Sequence, residues 1–241
     1  MYDARTTQQE RSSGRSMLKL SISGTRSGLP EELASELFVG ATCRRLKAEE
    51  TLFQAGDIGD GCYRLDKGLL KVILTSPQGK ERIIAVLTPG AIGGDLAVID
   101  GLPRSASVIA VTECELLFVS RVAFQQFARE HPEIYQYLVR MLAARLREAD
   151  ETISSLAFLS LKGRVACALL ALAKNLGEET ESGGVRIPCT ISQRDLAAMA
   201  GVARENANRV LNAWDRRGIV TKLAGFYWIS DKARLTAEVD Y

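Results

Sequence analysis

The chain has 241 residues, 46% of them hydrophobic, enough for one large domain or two modest ones with buried cores. Its formal net charge is only +2, so there is no bulk attraction for nucleic acid and any basic surface must be local. Cys43, Cys62, Cys114, Cys167 and Cys189 stand singly beside one histidine, His131; this set assembles no zinc, iron–sulfur or haem ligation and reads as mostly buried, reduced thiols of a cytoplasmic protein.

Residues 1–28 are rich in Arg, Ser, Thr and Gln and lack a continuous apolar core, so they read as a flexible N-terminal arm and not as a signal peptide. No apolar run of about 18 residues occurs, and no membrane span is expected. From 30 to 38, Leu33, Leu37 and Phe38 among acids predict a short opening helix. The period then changes. Between 42 and 119, short β-branched and aliphatic runs are cut by Gly56-Asp57, Gly59-Asp60-Gly61, Gly68, Pro77-Gln78-Gly79, Pro89-Gly90 and Gly93-Gly94. Such glycine-cornered runs predict a β-barrel or roll, with strands over 82–87 and 107–112 the clearest.

Helical spacing returns over 122–127 and continues into a long stretch, 131–159. There Tyr135, Val139, Leu142, Leu146, Ala149, Ile153 and Leu156 form an apolar seam of coiled-coil type, with Arg140, Arg145, Arg147, Glu148, Asp150 and Glu151 beside it. At about 1.5 Å per residue this helix spans roughly 40 Å, longer than its neighbours' cores need. It is expected to be a dimer helix; the alternative is an amphipathic helix packed on its own domain. Ser160 caps the next helix, which carries Val165, Ala168, Leu169, Leu172 and Ala173. An acidic, glycine-rich loop (177–184), a strand (185–188), two short helices and a hairpin of 219–223 with 226–229 around Ala224-Gly225 complete the chain. The expected fold is α+β: arm 1–28, β-roll 29–130, dimerisation helix 131–159 and winged helix-turn-helix domain 160–241.

Two stretches carry chemistry. Gly93-Gly94-Asp95-Leu96-Ala97 is followed nine residues after Asp95 by Arg104-Ser105. Adjacent glycines let backbone N–H groups approach an anion, Arg104 offers a permanently charged fork for two phosphate oxygens, and Ser105 adds a hydroxyl donor. Asp95, acceptor-only when ionised, suits a sugar hydroxyl, and the combination implies a nucleotide; a surface turn with a solvated Arg is the competing reading. In the second stretch, 191–211, Ser192 caps a helix bearing Leu196 and Met199, Gly201 turns, and a second helix places Arg204, Glu205 and Arg209 on one face. Arg reads guanine and Glu accepts from the cytosine amino group, each worth roughly 1–3 kcal/mol of discrimination. Arg216, Arg217 and Lys222, on or near the wing, are candidate phosphate contacts.

Together these motifs resemble the Crp/Fnr family of transcription regulators. Pro89-Gly90, Gly94-Asp95-Leu96-Ala97 and Pro103-Arg104-Ser105-Ala106-Ser107 are similar to its phosphate-binding cassette. Phe53, Gly56-Asp57, Tyr63, Leu65, Gly68, Leu70 and Val72 are similar to the first half of its roll, and 201–209 to its recognition helix. The resemblance, spanning about 37–229, implies that Arg104 and Ser105 hold a cyclic phosphate, Gly94 presents backbone to it and Asp95 accepts from the ribose 2′-hydroxyl. Cyclic-nucleotide binders of the family usually carry Glu where Asp95 stands. Those that take cyclic AMP have hydroxyl residues, contacting the base from both subunits, where this chain has Ala149 and Asp150. An Asp150 carboxylate suits the adjacent N–H donors of guanine or the amino group of adenine, the competing reading being a solvated charge beside the seam; cyclic AMP, cyclic GMP or both are expected as allosteric ligand, with no metal.

The implied function is a homodimeric, non-enzymatic regulator that reads inverted-repeat double-stranded DNA and works with RNA polymerase. Ligand would favour one arrangement of roll, helix and a hinge at 158–160. The alternative keeps DNA binding but has a roll that takes no cyclic nucleotide, acting constitutively or through redox chemistry at Cys43 or Cys62.

Overall fold

The computed structural model describes residues 29–181, 183–188, 191–223 and 225–240; the predicted arm, Cys189 and Ala224 of the hairpin turn lie outside them. After α1 (Glu31–Leu37), eight strands build the roll: β1 (Thr42–Leu46), β2 (Thr51–Phe53), β3 (Gly61–Lys67), β4 (Leu70–Thr75), β5 (Glu81–Leu87), β6 (Ile92–Gly93), β7 (Ser107–Ala110) and β8 (Cys114–Ser120), with the short α2 (Asp95–Asp100) between β6 and β7. Every recorded pairing is antiparallel, in two four-stranded sheets ordered β1-β8-β3-β6 and β2-β7-β4-β5. Their inner faces bury Leu65, Leu70, Val108, Ala110 and Leu116, the alternation that a half-buried strand requires.

Ser120 accepts a hydrogen bond from the Ala123 N–H and starts α3 (Arg121–Glu130). The long helix α4 runs Ile134–Phe158, about 37 Å at 1.5 Å per residue, and begins three residues later than the sequence spacing suggests. Its own-domain face is Ile134, Leu138 and Met141, packed with Leu33, Phe38, Cys62 and Phe124. The predicted seam is a different stripe. Tyr135, Val139, Leu146, Ile153 and Leu156 are all exposed, Leu146 at 65%, so packing on its own domain does not explain them.

Ser160 caps α5 (Leu161–Leu176) by accepting from the Gly163 N–H. There follow β9 (Glu178–Glu179), β10 (Val185–Ile187), α6 (Gln193–Ala200), α7 (Arg204–Arg216), β11 (Val220–Leu223), β12 (Phe226–Ile229) and α8 (Lys232–Ala237), with the strands ordered β11-β12-β10-β9. The stretch expected to be all loop thus contains β9, which pairs with β10, and α8 carries no signal that the sequence spacing caught. The residues after α8 are tied down. Glu238 accepts from Trp214 Nε1 at 2.9 Å and from Arg217, with Lys162 3.2 Å away, while Asp240 accepts from Ser160 through both backbone and side chain. The start of α5, the end of α7 and the tail are one bonded unit. The core of this domain, Leu169, Leu172, Leu196, Met199, Trp214 and Tyr227, is continuous with Ile73, Ile83 and Val86 of the roll.

Candidate functional sites: a cavity in the roll and an exposed recognition helix

A cavity of about 460 Å³ opens between the roll and α4, within the size range of small-molecule sites. One end is the cassette. Gly94, in the left-handed region at φ +80°, turns the chain from β6 into α2, and a Cβ there would lie 2.3 Å from Arg104 Nη1. Arg104 is 4% exposed: Nη1 donates to the Gly94 carbonyl and Nη2 to Asp60 Oδ1, both at 2.8 Å, and the guanidinium lies 4.3 Å from the Phe53 ring centre. Its backbone is held too, the N–H donating to Asp57 and the carbonyl accepting from Gly56. Arg104 Nε, buried, has no partner. Ser105 is exposed at the cavity edge.

Asp95 is buried, and its Oδ2 accepts from Arg145 Nη1 at 2.7 Å. One oxygen of the carboxylate expected to accept from a ribose hydroxyl is therefore committed to α4. Arg145 also donates to the Ile92 carbonyl, so the long helix is bonded to the cassette from its side. Leu96 and Ala149 line the cavity as well, but Asp150 does not. One residue is a 100° step on a helix, and that step turns Asp150 out to solvent beside the seam. The polar groups that α4 does bring to the wall are Arg145, Glu148 and Thr152, and the Thr152 hydroxyl donates to the Glu148 carbonyl. Sequence spacing placed Arg145 and Glu148 only as charges flanking the seam; their i, i+3, i+7 relation to Thr152 was the available signal.

Cys62 lies beneath this site, and burial, with the Asp95 carboxylate second, pushes its thiol up to about 12. Such a thiol is almost wholly protonated near neutral pH, the opposite of a redox sensor. Cys43 is exposed, Cys114 and Cys167 are buried, and no group able to hold a metal ion occurs among the described residues.

In the C-terminal domain, Ser192 and Asp195 form a capping box on α6, and Gly201 ends it at φ +65°. Ala203, at the start of α7, provides no side-chain cap. On α7, Ala207, Leu211 and Trp214 are buried, which leaves Arg204, Glu205 and Arg209 exposed on the far side with no hydrogen bond or ion pair to other described residues. Salt bridging within the helix thus does not account for them. Arg216 is exposed. Arg217 is not a free phosphate contact, because it is bonded to Glu238, and Lys222 lies 5.8 Å from the Tyr227 ring centre.

Comparisons with known proteins bear on both sites. Residues 43–131 match the cyclic nucleotide-binding domain family and residues 163–238 the Crp-like helix-turn-helix domain family. The cyclic AMP receptor protein of Thermus thermophilus is 34% identical over 207 residues, covering 86% of this chain and 91% of that protein. A CRP-like cAMP-activated global transcriptional regulator of Mycobacterium tuberculosis is 32% identical over 185 residues, 77% of this chain and 82% of its own. A solved CRP/FNR-family transcriptional regulator from Thermus thermophilus superposes with a TM-score of 0.67 at 26% identity, covering 82% of this chain and 98% of that one.

Proposed function

Because the chain belongs to the Crp/Fnr family of DNA-binding transcription regulators, we propose that it acts as a homodimer whose roll binds a cyclic purine nucleotide and thereby controls reading of an inverted-repeat operator. One observation carries the ligand reading: Arg104, almost wholly buried in the cavity wall, keeps an unpartnered Nε beside Gly94 and Ser105. A buried cation donor without an acceptor is costly, and a phosphate oxygen satisfies it. Ser105 donates to the same phosphate, and the unengaged oxygen of Asp95 accepts from the ribose. The base lies along Val72, Leu74 and Ile84 toward Ala149 and Thr152 of α4.

Pairing two α4 seams covers Tyr135, Val139, Leu146, Ile153 and Leu156, and turns Asp150, beside the seam, toward the partner's cavity. The two α7 helices then lie about 34 Å apart, with Arg204, Glu205 and Arg209 against base edges of successive major grooves. RNA polymerase is the expected partner on the promoter. The test is calorimetric titration with cyclic AMP and cyclic GMP, alongside binding to duplexes selected from a random library. Affinity tighter than about 100 μM for one nucleotide, lost in Arg104→Met, supports the reading; binding of neither nucleotide, with unaltered DNA selection, defeats it.

A second reading, a roll that binds no cyclic nucleotide, is favoured by the partners that the two arginines lining the cavity already have, Arg104 with Asp60 and Arg145 with Asp95. The same titration separates the two. Its redox version is disfavoured at Cys62 by that thiol's raised proton affinity.

A further inference from the structure

The β4–β5 hairpin has two working faces. On β4 the side chains alternate: Val72 and Leu74 line the cavity, while Lys71 points the other way, with Ile73, onto the C-terminal domain. On β5 a bulge interrupts the alternation, since Val72 pairs with Ala85 and Ile73 with Ile83, skipping Ile84. The extra residue resets the pleat. Ile84 and Ala85 both reach the cavity, and Ile83 and Val86 both join the core of the C-terminal domain. A wall one strand thick therefore separates the proposed nucleotide from α6.

The outer face is held by charge as well as by apolar packing. Lys71 Nζ donates to Asp195 Oδ1 at 3.0 Å, and the two residues are 9% and 8% exposed, although they belong to different domains and lie 124 positions apart. The other Asp195 oxygen accepts from the Ser192 N–H and hydroxyl in the capping box of α6, so Lys71 grips the start of the helix-turn-helix itself. Glu81 of β5 accepts from Arg194 at 3.0 Å, and Arg82 crosses the turn so closely that a Cβ on Gly201 would sit 1.9 Å from its Nη1. Leu156, at the end of α4, reaches the same turn. Hairpin, long helix and helix-turn-helix converge there.

We propose that this hairpin couples the cavity to the reading domain, with Lys71 and Asp195 as its positioning residues. Neither touches the cavity or the exposed face of α7, and both act through α6. The pair has two states, made or opened, and in the opened state Lys71 keeps the largely exposed Glu49, whose carboxylate already lies 3.6 Å from its Nζ. Nucleotide packing on Val72, Leu74 and Ile84 displaces the inner face, and the outer face carries Lys71 with it, which biases the seat of α6. The proposal rests on the nucleotide-binding reading above.

The test is the coupling factor, the ratio of operator affinities with and without saturating nucleotide, measured on full-length protein; such factors typically lie between about 5 and 150. Lys71→Met is expected to bring the factor at least fivefold closer to 1, Asp195→Asn to do the same while retaining an acceptor for the capping box, and Lys71→Arg to keep most of it. Linkage requires the reverse measurement, operator-dependent nucleotide affinity, to lose the same factor; a merely stabilising role for the pair would lower the melting temperature and leave both ratios alone. Should Lys71→Met fail to fold by circular dichroism, Asp195→Asn decides. Wild-type coupling retained by the folded variants overturns this proposal alone, whereas a wild-type protein that binds no nucleotide overturns the functional reading and this proposal with it.

Discussion

Replacing Gly94 by Ala tests how the cassette is built, and the structure supplies its own control. At φ +80° an L side chain is strained by roughly 1–2 kcal/mol, and the new Cβ would lie 2.3 Å from Arg104 Nη1, so the guanidinium must move. Moving it forfeits the bonds to the Gly94 carbonyl and to Asp60. A charge-assisted bond is worth about 1.5–3 kcal/mol, and the exposure of Asp60 puts its share at the low end. With the backbone strain included, the sum is roughly 4–6 kcal/mol. Gly79, in the turn between β4 and β5, has nearly the same φ of +77° but nothing within 4 Å of its Cβ position, so Gly79→Ala carries the strain alone, about 1–2 kcal/mol. At about 2–4 °C per kcal/mol for a chain of this size, scanning calorimetry should separate the two variants by several degrees. Titration should show nucleotide affinity at least ~10-fold weaker in Gly94→Ala and unchanged in Gly79→Ala, since a lost charge-assisted bond from Arg104 to phosphate costs about 1.5–3 kcal/mol and about 1.4 kcal/mol is tenfold. Equal melting temperatures together with equal nucleotide affinities would refute the reasoning.

Leu146→Glu places a charge on the seam but leaves the Ile134–Leu138 face alone, so light scattering should report monomer where the parent is dimer, with an unchanged helical spectrum; a persistent dimer would remove the seam from the interface. Arg209→Ala should cost about 1–3 kcal/mol on selected DNA and far less on random duplex, and equal losses on both would count against base reading. Acid titration probes Glu238, whose carboxyl is lowered from 4.5 to about 2, chiefly by the hydrogen bond from Arg217. A carboxyl lowered on folding stabilises above pH 4.5, and that contribution, roughly 2 kcal/mol after allowance for the exposure of Arg217, is lost as pH falls from 4.5 toward 2. Glu238→Gln should flatten this part of the stability profile; an identical acid limb would show the contact to be inert.

The two helix-turn-helix helices, the roll and the long seam were legible because each rests on local period or on a residue needed for its conformation: Ser192 and Gly201 at helix ends, Gly94 at a left-handed turn. What escaped was set by distance along the chain. Asp60 meets Arg104 across 44 positions, Asp95 meets Arg145 across 50, and Lys71 meets Asp195 across 124; no local spacing encodes these. The orientation of Asp150 was hidden for another reason. Neighbours on a helix are far apart in azimuth, so a resemblance that names a pair of positions does not say which of them faces the cavity within one chain. The short α8 was missed because Lys232–Ala237 is capped by Asp231 and anchored by Glu238, not patterned over several turns.

Arg204, Glu205 and Arg209 differ in kind from Arg104, because their side chains have no hydrogen-bond or ion-pair partner among the described residues. Exposed residues without partners can be exchanged at a cost to stability within about 0.5 kcal/mol, whereas any change at Arg104 disturbs a woven loop. On the DNA-reading role proposed for them, exchange at these three sites on α7 would redirect the protein to other sequences while leaving its folding as it was. The scaffold is an inheritance, and under that proposal the address it delivers to is cheap to rewrite.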